Sequence, residues 1–403
     1  MSVIILCLFV KILIWNGVDA VCDISVKTDI SNPSPLLINE TAGKPAFALP
    51  DAVTGKITVD ERASLQIYCP QSTVMVSGSS TSTNLVTITC VKSQFRYGSS
   101  NVPVSAFTCA VSPKSVAQYT GIPCLKQYKE FQIGYEYKKD FITLIKGCFD
   151  KKDQITLYTA STIPKAINVA KQIQERKCWT VGGFFTIPNV NEIYSKAEQT
   201  VSINNQLGLP STSTKYIAST TNRYLARGHL TPKTDFIFGP QQDATFICIN
   251  AVPQWQTLNA GNWKKLEADL KDLATARKRD IKITTGMSDI LSYPHDKTSQ
   301  QTPLYMYTDL QQKAIPIPKY IWKIAYIEEL KQGIAFVGVN DPYFSNTQSV
   351  TVCPDVCSQA SYIQLNWSNH TRYGYVYCCE IDALRSKVSN VPIEVPTKLK
   401  LLV

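Results

Sequence analysis

Two hydrophobic patterns divide this chain. Over residues 21–110, apolar and polar positions alternate in short strings such as Lys56-Ile57-Thr58-Val59 and Leu85-Val86-Thr87-Ile88-Thr89. Turn signals such as Ser77-Gly78-Ser79-Ser80 separate them. Alternation with period two predicts half-buried strands, so this part reads as a small β-rich N-terminal module. From about residue 111 the pattern mixes periods. Apolar runs at 141–145, 154–158, 245–249, 319–326 and 334–339 predict strands, the last two as core strands of a sheet. Residues 163–175 predict a helix with Pro164 in its first turn, where a missing N–H is tolerated. Trp263, Leu266, Leu270 and Leu273 recur at helical spacing with Lys and Asp between them, predicting a helix over 263–277. The stretch 288–303 reads as a surface loop and 391–403 as a mobile C-terminal tail. The fold class is therefore α+β, with no internal repeat, and residues 111–390 form the larger unit.

The first twenty residues stand outside this pattern. Residues 3–15 are apolar apart from Lys11, and Val18-Asp19-Ala20 places small residues at −3 and −1 of a cut after Ala20. This reads as a secretory signal peptide, the run being short for a bilayer span. The chain is expected to be extracellular, with no membrane partner. Thirteen cysteines are present, and Cys7 leaves with the leader, so twelve remain. An even number in an exported chain predicts disulfides. Zinc bound by Cys353, Cys357, Cys378 and Cys379 is the competing reading, and adjacent cysteines seldom chelate one ion. Sequons at Asn39, Asn366 and Asn369 agree with export and glycosylation.

Charge adds a partner class. The chain has 41 Lys and Arg against 31 Asp and Glu, a formal charge of +10. Such a surface attracts polyanions and predicts salt-sensitive binding. Lys264-Lys265 and Arg277-Lys278-Arg279 cluster on the predicted 263–277 helix and at its end.

The candidate chemistry lies in two stretches. Residues 223–236 read Arg-Tyr-Leu-Ala-Arg-Gly-His-Leu-Thr-Pro-Lys-Thr-Asp-Phe. Residues 250–267 read Asn-Ala-Val-Pro-Gln-Trp-Gln-Thr-Leu-Asn-Ala-Gly-Asn-Trp-Lys-Lys-Leu-Glu. Only three histidines exist, His229, His295 and His370, which excludes a three-histidine metal site near these stretches. His229 is the candidate general base, since imidazole takes a proton near neutral pH. Gly228 before it permits close backbone approach. His295 and His370 read as structural.

A phosphodiester resists attack because it is anionic, so charge on its nonbridging and leaving oxygens must be neutralised. Magnesium suits that task and prefers oxygen ligands. Asn259 can hold such an ion through one amide oxygen, or it can cap a helix. Glu267 lies eight residues on. It faces the same side as Asn259 if one helix starts near there, or it lies on a solvated face. Arg227 can hold phosphate or make a structural ion pair. Trp255 and Trp263 read as core.

These residues resemble the DNA/RNA non-specific endonuclease family. Its ββα-metal site carries Asp-Arg-Gly-His, then Asn-x-x-Pro-Gln, four further residues and an Asn, then Trp and Leu-Glu. Here the matching residues are Arg227-Gly228-His229, Asn250, Pro253-Gln254, Asn259, Trp263 and Leu266-Glu267. The likeness covers residues from about 130 to 385 and is greatest to secreted arthropod members, salivary nucleases and gut double-stranded ribonucleases.

The resemblance implies a ββα-metal core with a central, mostly antiparallel sheet flanked by helices. It implies His229 as the base that activates water, Asn259 as the direct ligand of magnesium, with manganese as a substitute, and Glu267 as a hydrogen-bond partner of metal-bound water. Asn250 supports the site and Arg227 positions phosphate or structure. Arg176 is the candidate for an upstream arginine near the transition state, and Lys264 and Lys265 are candidates for substrate contact. DNA or RNA, double-stranded in particular, is the implied partner. Ala226 departs from the pattern, standing where the family has Asp. That departure keeps a second reading open, a secreted nucleic-acid-binding protein derived from the nuclease with weak or no catalysis.

Overall fold

The computed structural model describes residues 20–171, 177–218, 220–366 and 369–403. The signal-peptide reading therefore lies outside the described residues, as does Arg176. No helix among the described residues is long and apolar enough to cross a membrane.

The alternating N-terminal strings fold as strands. In Lys56–Asp60 the buried residues are Ile57 and Val59, while Lys56, Thr58 and Asp60 face solvent. Leu85–Val91 belongs to a six-stranded sheet with Ser64–Tyr68, Leu36–Thr41, Lys44–Phe47, Gln94–Tyr97 and Ser100–Asn101. Cys22–Cys90 and Cys69–Cys109 tie these strands together. Phe47 packs its ring edge against Tyr135 and stacks on Phe238, so this sheet leans on the rest of the chain.

A nine-stranded sheet forms the main body. Its strands are β1 (Val116–Cys124), β2 (Tyr128–Tyr137), β3 (Asp140–Asp150) and β4 (Ile155–Ile163), then β7 (Ile281–Ile290), β8 (Pro318–Ile327), β9 (Gln332–Val339) and β10 (Tyr375–Cys379). All these pairs are antiparallel, and Lys400–Leu401 adds a short parallel strand to β9. β8 and β9 are buried along nearly their whole length, as their largely apolar runs predict for strands covered on both faces, although Lys319 and Lys323 interrupt β8. A two-stranded ribbon, β5 (Leu225–His229) with β6 (Ala251–Trp255), stands apart from the large sheet. Helix α1 (Lys196–Leu207) precedes it, and α2 (Gln256–Asn259) and α3 (Asn262–Arg277) follow it. α3 buries Trp263, Leu266, Leu270, Leu273 and Ala274, the face its periodicity marks.

Several expectations are corrected. The predicted 163–175 helix is absent from its described part: β4 runs through Ile163, and only a 3₁₀ turn, Ile167–Val169, follows. Ile163, the first residue of the predicted helix, is held in β4 by its pairing with Ile281 of β7. Residues 245–249 are buried but not a strand; they form a turn entering a 3₁₀ segment, Cys248–Asn250, and the strand begins at Ala251. A short apolar run does not distinguish these outcomes. The 288–303 loop contains a hairpin, Ser292–Pro294 paired with Gln301–Pro303. The tail does not trail free. Val395 and Leu402 are buried, Leu402 N–H donates to Gly333 at 3.1 Å, and Arg385 donates to the carbonyls of Pro392 and Val395.

The cysteines are oxidised rather than metal-bound. Cys124–Cys148, Cys353–Cys379 and Cys357–Cys378 join the two N-terminal bridges. The expectation that all twelve pair is corrected, because Cys178 and Cys248 are free thiols, the first exposed and the second buried.

Candidate active site

The two sequence stretches meet in the β5–β6 ribbon. Leu225 pairs with Trp255, Arg227 with Pro253 and His229 with Ala251. The ribbon closes tightly because Gly228 has no side chain: a Cβ there would lie 2.2 Å from Gln254 Oε1. β6 runs directly into α2, and Asn259 is the last residue of that single turn. The chain then bends at Gly261, where a Cβ would fall 2.2 Å from the Tyr373 carbonyl oxygen, and enters α3. The order is two strands and then helix, with His229 at one strand's end and Glu267 in the helix.

His229 is held by rings. Its imidazole centroid lies 4.5 Å from Trp179 and 5.0 Å from Phe246, and those two rings pack 5.5 Å apart. The backbone beyond it is clamped by Asn250. Its Oδ1 accepts from Thr231 N–H at 3.0 Å, and its Nδ2 donates to the carbonyls of Thr231 at 2.8 Å and Thr245 at 3.0 Å. The Asn250 carbonyl accepts from Leu230 N–H at 2.9 Å. Asn250 is fully buried, so its amide is a brace and does not reach solvent.

Arg227 is engaged on its own side of the ribbon. Its guanidinium lies 4.8 Å from the Tyr194 ring centroid and donates to the Asn191 carbonyl and to Asn191 Oδ1, the latter at 3.1 Å. The structural partner is thus a carbonyl and a ring rather than an acid. Ala226 pairs with Gln254 across the ribbon, so no carboxylate precedes Arg227.

Asn259 is not a helix N-cap. Its Nδ2 donates to Gln256 Oε1 at 3.0 Å, and among the described residues its Oδ1 accepts no hydrogen bond. The one-helix estimate relating Asn259 to Glu267 does not apply, because α2 and α3 are separate. Glu267 is half-buried on α3. Burial pushes its carboxyl up to about 7; Lys323 counters this and Asp235 adds to it. Burial pushes Asp235 up to about 6, with Lys323 and Lys271 opposing. Burial lowers Lys323, while Glu267 and Asp235 raise it.

The two candidate substrate lysines part ways. Lys264 is exposed. Lys265 makes a 2.7 Å ion pair with the buried Asp269, whose other oxygen accepts from Gln364 N–H. Both lysines line a cleft with Gln364, Asn366 and Tyr373. His295 accepts from Lys297 N–H at 3.3 Å, and His370 stacks on Phe344 at 4.9 Å; both stand away from the ribbon in sequence and in packing. Trp255 and Trp263 are fully buried core residues.

Sequence reading did not single out Phe246, Asp235 or Lys323. Lys323 left a signal, a lysine inside the run Tyr320-Ile-Trp-Lys-Ile-Ala-Tyr. Asp235 lies six residues after His229 and left none beyond that.

Residues 127–384 match the model of the DNA/RNA non-specific endonuclease family. The chain belongs to this family. It is a nuclease, a hydrolase, and its substrate is nucleic acid. It is 27% identical over 340 residues to a salivary endonuclease of Lutzomyia longipalpis, covering 83% of this chain and 75% of that one. Salivary protein Tsal1 of Glossina morsitans morsitans is 24% identical over 396 residues, covering 96% and 95%. A salivary endonuclease of Culex quinquefasciatus is 29% identical over 185 residues, covering 44% and 47%.

Proposed function

We propose that this nuclease is a secreted, magnesium-dependent endonuclease that hydrolyses phosphodiester bonds in DNA, RNA or both, with little base preference. Residues 111–390 are its nuclease unit and residues 21–110 a separate β-rich module. The observation that supports this best is the order of the site: β5 ends in His229, β6 pairs with it and runs into Asn259, and α3 follows with Glu267.

The donor set fits a hard divalent cation. Asn259 offers a neutral oxygen with no described protein partner, and Glu267 offers a carboxylate whose charge the interior opposes. Asn259 would be the direct ligand, and Glu267 would orient water around the ion. Magnesium there supplies positive charge beside the phosphate, and manganese has the ligand preferences to replace it. His229 takes the proton from attacking water, its ring kept in place by Trp179 and Phe246. Asn250 holds the backbone that carries the imidazole. Arg227 acts through structure, pinning the ribbon to Asn191 and Tyr194. Lys264 offers a free ammonium to a backbone phosphate, and Lys265 contributes field from its pair with Asp269. Arg176 remains the proposed upstream arginine. Export is supported by the leader-like first twenty residues and by relatives named as salivary.

The test is cleavage of plasmid DNA and of double-stranded RNA by purified protein, with magnesium or with EDTA, beside His229→Ala. Cleavage only with the metal, lost in the variant, supports the assignment. Full cleavage by His229→Ala removes the proposed base. Tight binding without cleavage by the unmodified protein favours a nucleic-acid-binding role instead.

A further inference from the structure

A cleft opens directly beyond the turn that carries Asn259. Ala260 and Gly261, the next two residues, line it, and it holds about 440 Å³. Clefts of about 300–1,000 Å³ hold small ligands. Its walls are fixed from α3, where Asn262 and Asp269 are both buried. Asn262 Oδ1 accepts from Asn366 N–H at 2.8 Å, and its Nδ2 donates to the Asn366 carbonyl at 2.8 Å and the Gly374 carbonyl at 2.7 Å. Asp269 Oδ2 accepts from Gln364 N–H at 2.9 Å, and its Oδ1 takes the Lys265 ammonium. Leu365 is buried between these anchors, while Gln364 and Asn366 are exposed along the cleft. Tyr373 joins the wall beside Gly261, where a Cβ would lie 2.2 Å from its carbonyl oxygen.

The chemistry of this lining suits more than a phosphate. Ala260, Gly261 and Ala268 give a floor without polar side chains. Around it stand the exposed Lys264 ammonium, the Gln364 amide and the half-buried Tyr373 side chain. The Arg372 guanidinium lies 5.2 Å from the Tyr373 ring centroid and adds positive charge there. A backbone phosphate calls for the cation alone, whereas a flat base calls for a ring to stack on and an apolar floor. The Gln364 amide carries both donors and an acceptor, so it can meet the edge of any base, in keeping with little base preference.

We infer that this cleft is a subsite for one unpaired nucleotide of the substrate strand, flanking the phosphate that is cut. Lys264 meets its phosphate, Tyr373 stacks on its base and Gln364 hydrogen-bonds the base edge. The inference rests on the nuclease reading given above, because Asn259 places the cut beside the cleft. A base inside a duplex keeps both faces stacked, so a duplex must open locally to fill the subsite. Asn366 lines the same cleft, so the subsite also requires that its sequon carry no sugar.

The experiment compares two end-labelled probes by fluorescence anisotropy in EDTA, with the full chain. One is a short single-stranded oligodeoxynucleotide, and the other is an abasic strand of the same length and charge. The unmodified protein is expected to bind the first about tenfold more tightly. Tyr373→Leu, which keeps bulk without a ring, and Ala268→Phe, which fills the floor, are expected to remove that preference. Lys264→Gln is expected to weaken both probes alike and to lower the salt slope by about one. Equal binding of the two probes by the unmodified protein overturns the inference, and so does a preference that survives in Tyr373→Leu. If Ala268→Phe loses its circular dichroism signature, Tyr373→Leu decides alone. Peptide mass spectrometry of the secreted chain is expected to find Asn366 unmodified, and a glycan there overturns the inference. Binding in EDTA needs no turnover. An inactive protein that keeps the base preference would refute the nuclease reading and leave the subsite intact, whereas an active enzyme indifferent to the base would refute only the subsite.

Discussion

The His229 imidazole and the Trp179 indole lie 4.5 Å apart and tilted by 45°, with Phe246 edge-on to the imidazole and itself packed on Trp179. A base must stay within hydrogen-bond reach of the water it activates, and a displacement of about 1 Å costs on the order of 100-fold in rate. Trp179→Ala removes one wall. We expect kcat to fall about 10- to 100-fold with KM little changed, and Trp179→Phe to retain most activity. Steady-state kinetics on plasmid DNA checks this; equal activity in Trp179→Ala would show that the rings do not hold the base.

Asn250 is a different kind of support. Three hydrogen bonds leave its side chain, all to backbone groups inside the protein. Asn250→Ala strands those backbone groups without partners, each at about 1–3 kcal/mol. The expected result is a loss of at least about 3 kcal/mol in urea unfolding, with activity per folded molecule reduced because Leu230 and Thr231 follow His229 directly. A variant as stable as the parent would remove the brace.

What the sequence disclosed follows a physical rule. The proposal of His229, Asn259 and Glu267 comes from short stretches whose spacing and chemistry are local. α3 was legible because Trp263, Leu266, Leu270 and Leu273 share one face. The walls of the site were not. Trp179 and Phe246 reach His229 through a long loop, registered by the bridge between Thr180 and Ile247, and Lys323 reaches the Trp263 ring of α3 through β8. No local pattern encodes such meetings. The missed strand at Ile163 has the same cause, since β4 is specified by β7 more than a hundred residues later.

Glu267 and Asp235 also set how the metal-free protein responds to pH. Burial raises both above their usual values, to about 7 and about 6. The folded state then binds more protons than the unfolded chain between about pH 4 and pH 7, so stability falls as pH rises through that window. Each unit of displacement corresponds to about 1.4 kcal/mol, reduced for Glu267 by its partial exposure. Urea midpoints measured in EDTA should decline from pH 5 to pH 8, and magnesium should restore stability at pH 8. Asp235→Asn should flatten the decline. A midpoint that rises across the window in the unmodified protein would contradict the burial of these carboxylates.

Gly228 links the ribbon's geometry to the reaction. A Cβ at this position would stand 2.2 Å from Gln254 Oε1 and 2.6 Å from Gln254 Cβ, and Gln254 is itself buried with little room to withdraw. Gly228→Ala must therefore push β5 away from β6 next to His229. Overpacking of this kind costs about 1–3 kcal/mol, less than most folded domains can lose, so the protein should remain folded. Activity should suffer more, by about 100-fold or beyond, because the strand that moves carries the base. Gly228→Ala combined with Gln254→Gly should recover much of the rate, since it removes both the Oε1 and the Cβ that the methyl group would meet. Thermal unfolding and kcat measured on both variants separate the two effects. Full activity in Gly228→Ala would mean that the ribbon's close approach does not position His229.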